Sequence, residues 1–446
     1  MHGAAWKSGR KIVVSGDVFD AIVVGAGPAG VAAALTMARA GLEVVVLERG
    51  EYPGAKNVQG GVLYRQPTEE LVPEFWKEAP VERPVVRQSI WLLDAQSALR
   101  IGYGSEAWSR PPYNAFTVLR AKFDRWFAEQ AEKAGAMVLT STTVTDLIME
   151  DGRVVGVRTS LEDGDLYGQV VVIAQGVNAL LVQQAGLGPD LEMNQAALAV
   201  KEVLALPSET IEERFGLEKG QGATIELLGA ATRGLVGNAF LYTNKDTLSI
   251  GVGALVSQLV ERRWNVHDIL EELKQHPAVR PLIRGAEVQE YMAHLIPEVG
   301  YDRLPRLVGD GVVVVGDAAG FLNAVNREGS NMAMISGKLA GEAIIEAKAR
   351  GDFSARSLGS YVEKLRESFI MKDLYRLRHS IPFMERNPQF FTEYPEMISA
   401  LAREFFTVDG TPKEEKHRRM LELVRQRRPL WRVGLDLVRA WRSIGL

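Results

Sequence analysis

Two short apolar runs, almost three hundred residues apart, each end at a glycine and lead into a segment of helical period. The first ends at Val23 and Val24, and the second occupies residues 312–315. Continuous apolar runs of this length predict strands that are buried on both faces of a parallel sheet. Small residues at 333–341 predict a closely packed helix over 331–348. The pattern therefore predicts two strand–turn–helix units, and the first continues into another strand that ends on Glu48.

The chain between these units changes its pattern twice. Residues 116–131 predict a helix with Phe123, Trp126 and Phe127 on one face. Residues 135–175 predict short strands, and the last of them ends at Gly176. From 195 to 294 the strands are longer and amphipathic helices accompany them. This second pattern predicts an antiparallel substrate sheet.

The first turn has the spacing G-x-G-x-x-G. In such a turn the first glycine allows the bend, the second lets the backbone approach a pyrophosphate, and the third lets the helix pack on the strand. Glu48 follows where an acid accepts hydrogen bonds from the adenosine ribose, and its charge disfavours a 2′-phosphate. The turn is therefore predicted to bind a dinucleotide other than NADP. The predicted contacts from this unit are Gly25, Ala26, Gly27, Ala29, Gly30, Glu48 and Arg49.

The second turn, Gly316-Asp317, follows four consecutive valines. Taken alone, an aspartate at this point could simply cap a helix. A strand that ends on aspartate is also typical of flavoproteins, in which the carboxylate holds the ribityl chain. The helix N-terminus, near Gly329 and Asn331, then faces the pyrimidine end of the ring. Because the two turns occur together, the predicted cofactor is FAD rather than NAD.

Further flavin contacts are predicted in the middle of the chain. The loop at 51–64 contributes Asn57, Gly60 and Gly61. Arg120 precedes the apolar face of its predicted helix, so it either reaches the flavin or its phosphates or stays in solvent at the helix start. Gly176 ends a strand that is expected to pass near the adenine.

Composition narrows the possible chemistry. The chain has 446 residues, is 46% hydrophobic and has a formal net charge of -4, which gives no case for nucleic-acid binding. Because it contains no cysteine, thiol catalysis and cysteine-ligated iron–sulfur clusters are excluded within this chain. The 6 histidines show no metal-ligand spacing, so no metal site is predicted. No residue is predicted to act as a catalytic nucleophile.

Both turns contribute to one nucleotide-binding domain, so the chain between them is an insertion. We predict an α/β fold with a Rossmann-like FAD-binding domain of the glutathione-reductase type, split between residues 18–190 and 290–350. Residues 191–289 are predicted to form an inserted antiparallel-sheet substrate domain. Residues 351–446 are predicted to form a helical C-terminal region that contacts a partner or a membrane.

Targeting signals are not visible in the sequence. No stretch approaches the length of apolar residues that spans a bilayer. Residues 1–19 contain basic residues but no apolar core, so they do not form a secretory signal. We therefore expect a cytoplasmic protein.

The segment from Lys413 onward is basic. At 100° per residue, Arg432, Asp436 and Arg439 share one face of a helix that begins after Pro429, and tryptophans and aliphatic residues cover the other. This arrangement is typical of a helix that lies on anionic lipid. The alternative is a helix that packs on its own domain or on a partner subunit.

Three segments resemble a known family. They are ERGEYPGAKNVQGGVLY at 48–64, VLRAKFDRWF at 118–127 and YMAHLIPEVGYDRLPRLVGDGVVVVGDAAGF at 291–321. They resemble the electron-transfer-flavoprotein:quinone oxidoreductase family, and most closely its FixC-type members. The AHLIPE and AKNVQGG parts are specific to that family, whereas the two glycine turns occur in many flavoproteins.

The resemblance implies a single FAD that takes electrons from a two-subunit electron transfer flavoprotein. The acceptor would be a membrane quinone, menaquinone or ubiquinone, with peripheral contact at the inner face of the cell membrane. Single-chain family members carry a cysteine-ligated cluster, so the lack of cysteine favours the FixC type, in which a small ferredoxin-like subunit carries it. Some such complexes bifurcate electrons. The loop 294–305 and the pair Gly60-Gly61 are candidate walls for the quinone ring, although His294 is also compatible with an ordinary, partly buried histidine.

Two alternatives stay open. A geranylgeranyl-reductase-like or aromatic-hydroxylase-like FAD enzyme would share both turns and use NAD(P)H. The sequence contains no second G-x-G-x-x-G for a nicotinamide nucleotide. A structural or regulatory subunit would hold FAD without turning it over.

Overall fold

The computed structural model describes residues 18–56 and 61–444, and within these ranges the strands pair into two sheets. The first has the order β16-β17-β10-β1-β2-β7, with β9 added to β10 and β8 to β9. Its strands are β1 (Phe19–Val24), β2 (Val44–Leu47), β7 (Met137–Leu139), β8 (Val144–Glu150), β9 (Arg153–Thr159), β10 (Leu166–Ile173), β16 (Val308–Gly309) and β17 (Val312–Val314).

The centre of the first sheet is parallel, as the apolar runs predict. Val24 pairs with both Leu47 and Ile173, so the carboxyl ends of β1, β2 and β10 lie level with one another. β17 runs parallel to β10 and brings Asp317 to the same edge. The carboxyl edge of an open parallel sheet is where such folds bind their ligands.

The second sheet has the order β15-β11-β14-β13-β12-β4-β6-β3, and β5 also pairs with β4. Most neighbours are antiparallel, as predicted, but β4 and β12 are parallel. Its strands are β3 (Val62–Tyr64), β4 (Val81–Leu93), β5 (Ala98–Gly104), β6 (Ala115–Val118), β11 (Ala196–Ala205), β12 (Gly222–Gly229), β13 (Gly237–Thr243), β14 (Thr247–Leu255) and β15 (Glu287–Pro297).

Helices flank both sheets and form the C-terminal region. Helices α5 to α8 cover the face of the second sheet that points away from the first sheet. The helices are α1 (Pro28–Arg39), α2 (Arg65–Leu71), α3 (Arg120–Lys133), α4 (Leu180–Gln184), α5 (Ser208–Phe215), α6 (Val256–Arg262), α7 (Val266–Gln275), α8 (Arg280–Ile283), α9 (Ser330–Arg350), α10 (Ala355–Glu367), α11 (Phe369–Arg376), α12 (Ser380–Arg386), α13 (Glu393–Phe406), α14 (Lys413–Arg427) and α15 (Leu430–Ile444).

Small residues bring α1 and α9 into backbone contact. A Cβ atom on Gly337 would overlap the carbonyl oxygen of Ala29, and one on Gly341 would lie 2.9 Å from Cβ of Thr36. Side chains at these positions would push the helices apart. Because Gly337 and Gly341 have no side chains, α1 and α9 pack closely, and their N-terminal ends lie side by side next to the two predicted turns.

The structure corrects the helix predicted over 116–131. Residues 115–118 form β6, which pairs with β3 and β4, and α3 begins only at Arg120. The apolar sequence AFTV suits a buried strand, and this long-range pairing overrides the local helical period. The helix that follows does bury Phe123, Trp126 and Phe127, as predicted.

Strand pairing bears on the predicted division into domains. Strands β3 to β6, from within 18–190, belong to the second sheet, as does β15. The exact domain boundaries stay a prediction, and this pairing argues for assigning residues 62–118 to the substrate-domain sheet. Among the helices of residues 18–56 and 61–444, none is long and apolar enough to span a bilayer.

Candidate functional site

A cavity of about 550 Å³ lies between the carboxyl edge of the first sheet and one face of the second. Most of the predicted cofactor contacts line it. Asn57 and Gly60 lie outside the described residues, and Ala26, Gly30 and Gly316 lie behind the cavity wall. The predicted residues that line the cavity are Gly25, Gly27, Ala29, Glu48, Arg49, Gly61, Arg120, Gly176, Asp317, Gly329 and Asn331.

The three glycines of the first turn have different surroundings. Gly25 has a φ of +108°, and a Cβ atom on Gly30 would overlap the carbonyl oxygen of Gly25. A Cβ atom on Gly27 would meet no protein atom within 4 Å. Gly25 and Gly30 are thus required by the fold, whereas Gly27 leaves open space at the start of α1. Such a helix N-terminus attracts phosphate.

Glu48 is held in place by the turn itself. The amide of Ala26 donates to its Oε2 at 2.9 Å, and the amide of Gly50 donates to its Oε1 at 2.7 Å. These two bonds fix a carboxylate at the end of β2, where it lines the cavity. Ala26 therefore acts by positioning Glu48. The carboxylate keeps lone pairs free for a ribose hydroxyl.

The second turn forms the neighbouring part of the wall. Burial raises the pKa of Asp317 to about 6, and the charge of Arg120 opposes the shift. Behind it, Gly316 has a φ of +62° and packs so closely on α1 that a Cβ atom would lie 2.8 Å from Cβ of Ala29. Oδ1 of Asn331 is buried without a hydrogen-bond partner in the part of the chain that the structure describes. A buried acceptor of this kind suits a ligand donor.

Arg120 is buried at the cavity wall, which excludes the solvent-exposed alternative. Its side chain is 5% exposed and forms two hydrogen bonds to Asp124, from Nε to Oδ1 at 2.6 Å and from Nη2 to Oδ2 at 2.7 Å. Its Nη1 lies 3.5 Å from Oγ of Ser330 at the start of α9. A bidentate pair keeps the guanidinium in one orientation. Arg120 thus supplies a fixed positive charge between the two turns.

The second sheet contributes side chains to the opposite wall. Alternate residues of a strand share one face, and Ala199 and Lys201 of β11 lie beside His294 and Ile296 of β15. Burial lowers the pKa of Lys201 to about 8, against the effect of Glu290. Burial also lowers the pKa of His294, and the charges of Arg120 and Arg49 add to that shift. His294 is thus both partly buried and at the cavity.

Lys201 was missed by sequence reasoning, although a signal was present. Together with Glu202, it interrupts the apolar residues of β11, AALAVKEVLA. A lysine within such a strand is costly to bury unless a ligand or a charge uses it. The sequence did not show which strand would lie beside it.

A buried polar network was also missed. The hydroxyl of Tyr242 donates to Oε1 of Glu226 at 2.6 Å, and Nδ2 of Asn238 donates to its Oε2 at 2.8 Å. Nη1 of Arg327 lies 3.4 Å from the same carboxylate. The ring of Tyr242 occupies the space that a Cβ atom on Gly61 would fill. Gly61 is therefore needed for the close approach of the chain just before β3 to Tyr242 of β13.

The C-terminal helix packs on its own chain and leaves large apolar side chains exposed. Asp436 and Ala440 face the protein, each 3% exposed. Oδ2 of Asp436 accepts from the hydroxyl of Tyr394 at 2.9 Å and from Nε of Arg428 at 2.6 Å. Asp436, predicted on the polar face, is thus turned inward. The exposed large apolar side chains of α15 are Leu430, Trp431, Leu435, Leu437, Val438 and Trp441.

The cavity fits FAD. The space at Gly27 suits a pyrophosphate, the fixed carboxylate of Glu48 suits a ribose, and Asp317 and the unpaired oxygen of Asn331 lie at the second turn. Because both turns lie at one edge of the sheet, an extended dinucleotide can contact both of them at once. Fold and site together define an FAD-dependent oxidoreductase.

Known proteins agree with this class. The family model described as FAD dependent oxidoreductase matches residues 20–189, and the ETF-QO/FixC family C-terminal domain matches residues 381–445. Protein FixC of Bradyrhizobium diazoefficiens is 49% identical over 430 residues, 95% of this chain and 99% of that protein. The probable electron transfer flavoprotein-quinone oxidoreductase YdiS of Escherichia coli is 43% identical over 90% of this chain and 93% of its own. The chain belongs to the ETF-QO/FixC family.

A solved structure shares the fold at low identity. A geranylgeranyl bacteriochlorophyll reductase-like protein from Thermoplasma acidophilum superposes with a TM-score of 0.73 and 19% identity, covering 96% of this chain and 99% of that one. At this identity the likeness shows the fold alone. The predicted α/β fold, the FAD cofactor and the family are confirmed, and the individual FAD contacts stay predictions.

Proposed function

We propose that this chain passes electrons from an electron transfer flavoprotein to a membrane quinone. Similarity over nearly the full length to FixC and YdiS carries the proposal, because the name of YdiS specifies both the donor and the acceptor. The geometry is compatible, since the cavity has a nucleotide end at Gly27 and Glu48 and a second wall of titratable side chains. The absence of cysteine supports a separate ferredoxin-like subunit as the carrier of any iron–sulfur cluster.

The residues of the chain bind and orient the cofactor. FAD, when bound, supplies the two-electron chemistry. Glu48 would hold the ribose, Asp317 would hold the ribityl chain, and the start of α1 would face the pyrophosphate. Arg120 fixes a positive charge between them. The second sheet then excludes water from the ring side and presents Lys201 and His294 there.

The quinone would enter along the second wall. The predicted ring walls are the loop 294–305 and the pair Gly60-Gly61, of which Gly60 is outside the described residues. In the structure Gly61 and His294 line the same cavity, with Tyr242 in contact with Gly61. This grouping supports a ring-binding role for these residues. No residue in this arrangement is required as a nucleophile.

The basic end of the chain would hold the protein on the inner face of the cell membrane. Trp431 is 63% exposed and Trp441 is 60% exposed, and the segment from Lys413 carries the positive charge that anionic lipid attracts. Because Asp436 and Ala440 anchor α15 to the protein, its apolar face is presented outward in a fixed orientation.

Vesicle flotation tests this contact. In Trp431→Gln/Trp441→Gln, losing about 1.4 kcal/mol of apolar transfer should lower partitioning to phosphatidylglycerol vesicles about tenfold. The matched control is Met149→Gln/Val260→Gln, at two exposed apolar positions outside α14 and α15. Equal flotation of both double variants would contradict the membrane contact.

Co-purification and kinetics test the electron-transfer function. The expected neighbours are two electron transfer flavoprotein subunits and a small ferredoxin-like protein, and the reduced complex should be reoxidised by a quinone. Reduction of a low-potential ferredoxin by NADH that requires quinone would assign the complex to the bifurcating members. Rapid NAD(P)H oxidation by the isolated chain, stimulated by an isoprenoid or a phenol, would instead favour the reductase or hydroxylase alternative. A flavin that no donor bleaches would favour a structural subunit.

A further inference from the structure

A second cavity, of about 160 Å³, lies between the loop after β15 and the helices α11 and α12. Among the described residues, three line both this cavity and the larger one: Glu298, Leu322 and Ala324. Glu298 alone among the three has a titratable side chain. One carboxyl group therefore stands between the flavin cavity and the smaller one.

The smaller cavity reaches solvent. Asp302 and Arg303 in its lining are exposed, and the side chain of Arg303 is 54% exposed. Besides Glu298, its lining contains two acids and two arginines, whose formal charges cancel. Because the cavity opens to solvent, water that enters it can supply protons. The charged side chains that line it besides Glu298 are Asp302, Arg303, Arg378 and Glu385.

A hydrogen bond holds the backbone of Glu298 in place, whereas its carboxyl group has no partner among the described residues. Its amide donates to the carbonyl oxygen of Gln195 at 2.6 Å, directly after the paired residues Pro297 and Ala196. The carboxyl group forms no hydrogen bond or ion pair with any residue of 18–56 or 61–444. Because no partner stabilises the carboxylate, burial raises the pKa of Glu298 to about 8. At neutral pH the group is mainly a neutral acid that can give up a proton.

Other titratable groups face the flavin cavity but not the smaller one. Lys201 and His294 lie on the same sheet face as Ile296, which precedes Glu298 by two residues. Asp317, Arg120 and Arg327 line other parts of the wall. None of these five side chains lines the smaller cavity. Among the described residues, Glu298 is thus the titratable side chain through which a proton could pass between the two cavities.

The proposed function requires such a route. Electrons that arrive from a protein partner bring no protons, whereas a quinone becomes a quinol by gaining two electrons and two protons. Both protons must in the end come from solvent. Leu322 and Ala324, the other shared lining residues, cannot carry them.

We propose that Glu298 passes protons from water in the smaller cavity to the quinone in the flavin cavity, an inference that rests on the proposed function. In the step, the quinone gains two electrons through FAD, and its oxygen atoms gain two protons. Glu298 gives up at least one of these protons, becomes a carboxylate, and regains a proton from water in the smaller cavity.

The test separates electron transfer from proton uptake. The FAD-loaded protein is reduced by light without oxygen and mixed with a soluble quinone or with ferricenium, a one-electron acceptor that takes up no proton. In Glu298→Gln the quinone rate should fall about 100-fold, and the ferricenium rate should stay within about twofold of wild type, because only the first reaction needs the acid. Glu287→Gln, at an exposed position on β15, is the matched control and should keep both rates.

An infrared titration supplies a second measurement that needs no turnover. The wild-type protein should show a carboxylic-acid C=O stretching band that is lost near pH 8, and Glu298→Gln should lack it. An unchanged quinone rate in this variant, an equal loss of both rates, or an unchanged infrared band would overturn the role of Glu298. If wild type reduces ferricenium but no quinone, the proposed function fails, and the role of Glu298 fails with it. A quinone defect in wild type thus contradicts the proposed function, whereas a quinone defect in Glu298→Gln alone supports the role of Glu298.

Discussion

The two walls of the FAD cavity are built in different ways. The wall from the first sheet consists of turn glycines and the carboxylate of Glu48, which the amides of Ala26 and Gly50 hold in place. The wall from the second sheet consists of side chains such as Lys201 and His294, which come from strands far apart in the chain. The first turn contributes mainly backbone atoms, whereas the second sheet contributes side chains, several of which are titratable.

We expect this difference to separate the affinity for FAD from the reactivity of the bound cofactor. Backbone amides and glycine contacts do not titrate, so the nucleotide end should bind FAD similarly over a wide pH range. Burial brings the pKa of Lys201 and that of Glu298 each to about 8, from opposite directions. The reactivity of the ring end should therefore depend on pH near 8, whereas the contacts that the first turn makes with FAD should not.

The largest expected effect comes from the third glycine of the first turn. In Gly30→Ala the added Cβ would overlap the carbonyl oxygen of Gly25, which is backbone and cannot rotate away. We expect a loss of about 3 kcal/mol in the free energy of unfolding and little FAD-loaded protein. Denaturant unfolding and the flavin absorbance of the purified protein measure both quantities.

Gly27→Ala is the matched comparison in the same turn. Its Cβ would meet no protein atom within 4 Å, so the cofactor-free protein should keep its stability within about 0.5 kcal/mol. The Cβ would instead occupy space predicted for the pyrophosphate, and about 2 kcal/mol of crowding would weaken FAD binding about 30-fold. Unchanged FAD affinity in Gly27→Ala would show that the pyrophosphate lies elsewhere.

A pH-dependent effect on stability is expected at Glu298. Its pKa is raised from 4.5 to about 8 in the folded protein. Between these values the unfolded carboxyl group ionises while the folded one stays protonated, so wild type loses stability as the pH rises, by up to about 1.4 kcal/mol per pH unit. Glu298→Gln lacks this loss and should gain on wild type from pH 5 towards pH 8. A difference in urea-unfolding midpoint between wild type and variant that stays the same at every pH would contradict the raised pKa of Glu298.

The part of the site that local sequence specifies was predictable. The spacing of Gly25, Gly27 and Gly30 and the acid at Glu48 lie within one βαβ unit, so turn chemistry alone indicated them. Lys201 and Tyr242 reach the cavity through strand pairings over long distances, which periodicity does not specify. The strand at 115–118 was mistaken for helix for the same reason, because its partners β3 and β4 lie elsewhere in the chain.

The smallest expected effect sharpens the contrast at the second wall. Lys201→Met removes a positive charge from the ring side without touching the turns, so FAD content should stay at the wild-type level. The added electrons of reduced flavin would lose a favourable neighbour of about 1.4 kcal/mol, which lowers a two-electron potential by about 30 mV. Because Lys201 has a pKa of about 8, the difference from wild type should shrink above that pH as the wild-type amine loses its charge.

Spectroelectrochemical titration at pH 7 and pH 9 measures the flavin potential, with the exposed Lys219→Met as control. Potentials equal to wild type at pH 7 would show that Lys201 does not face the ring, and a loss of FAD would show that the two walls are not separable.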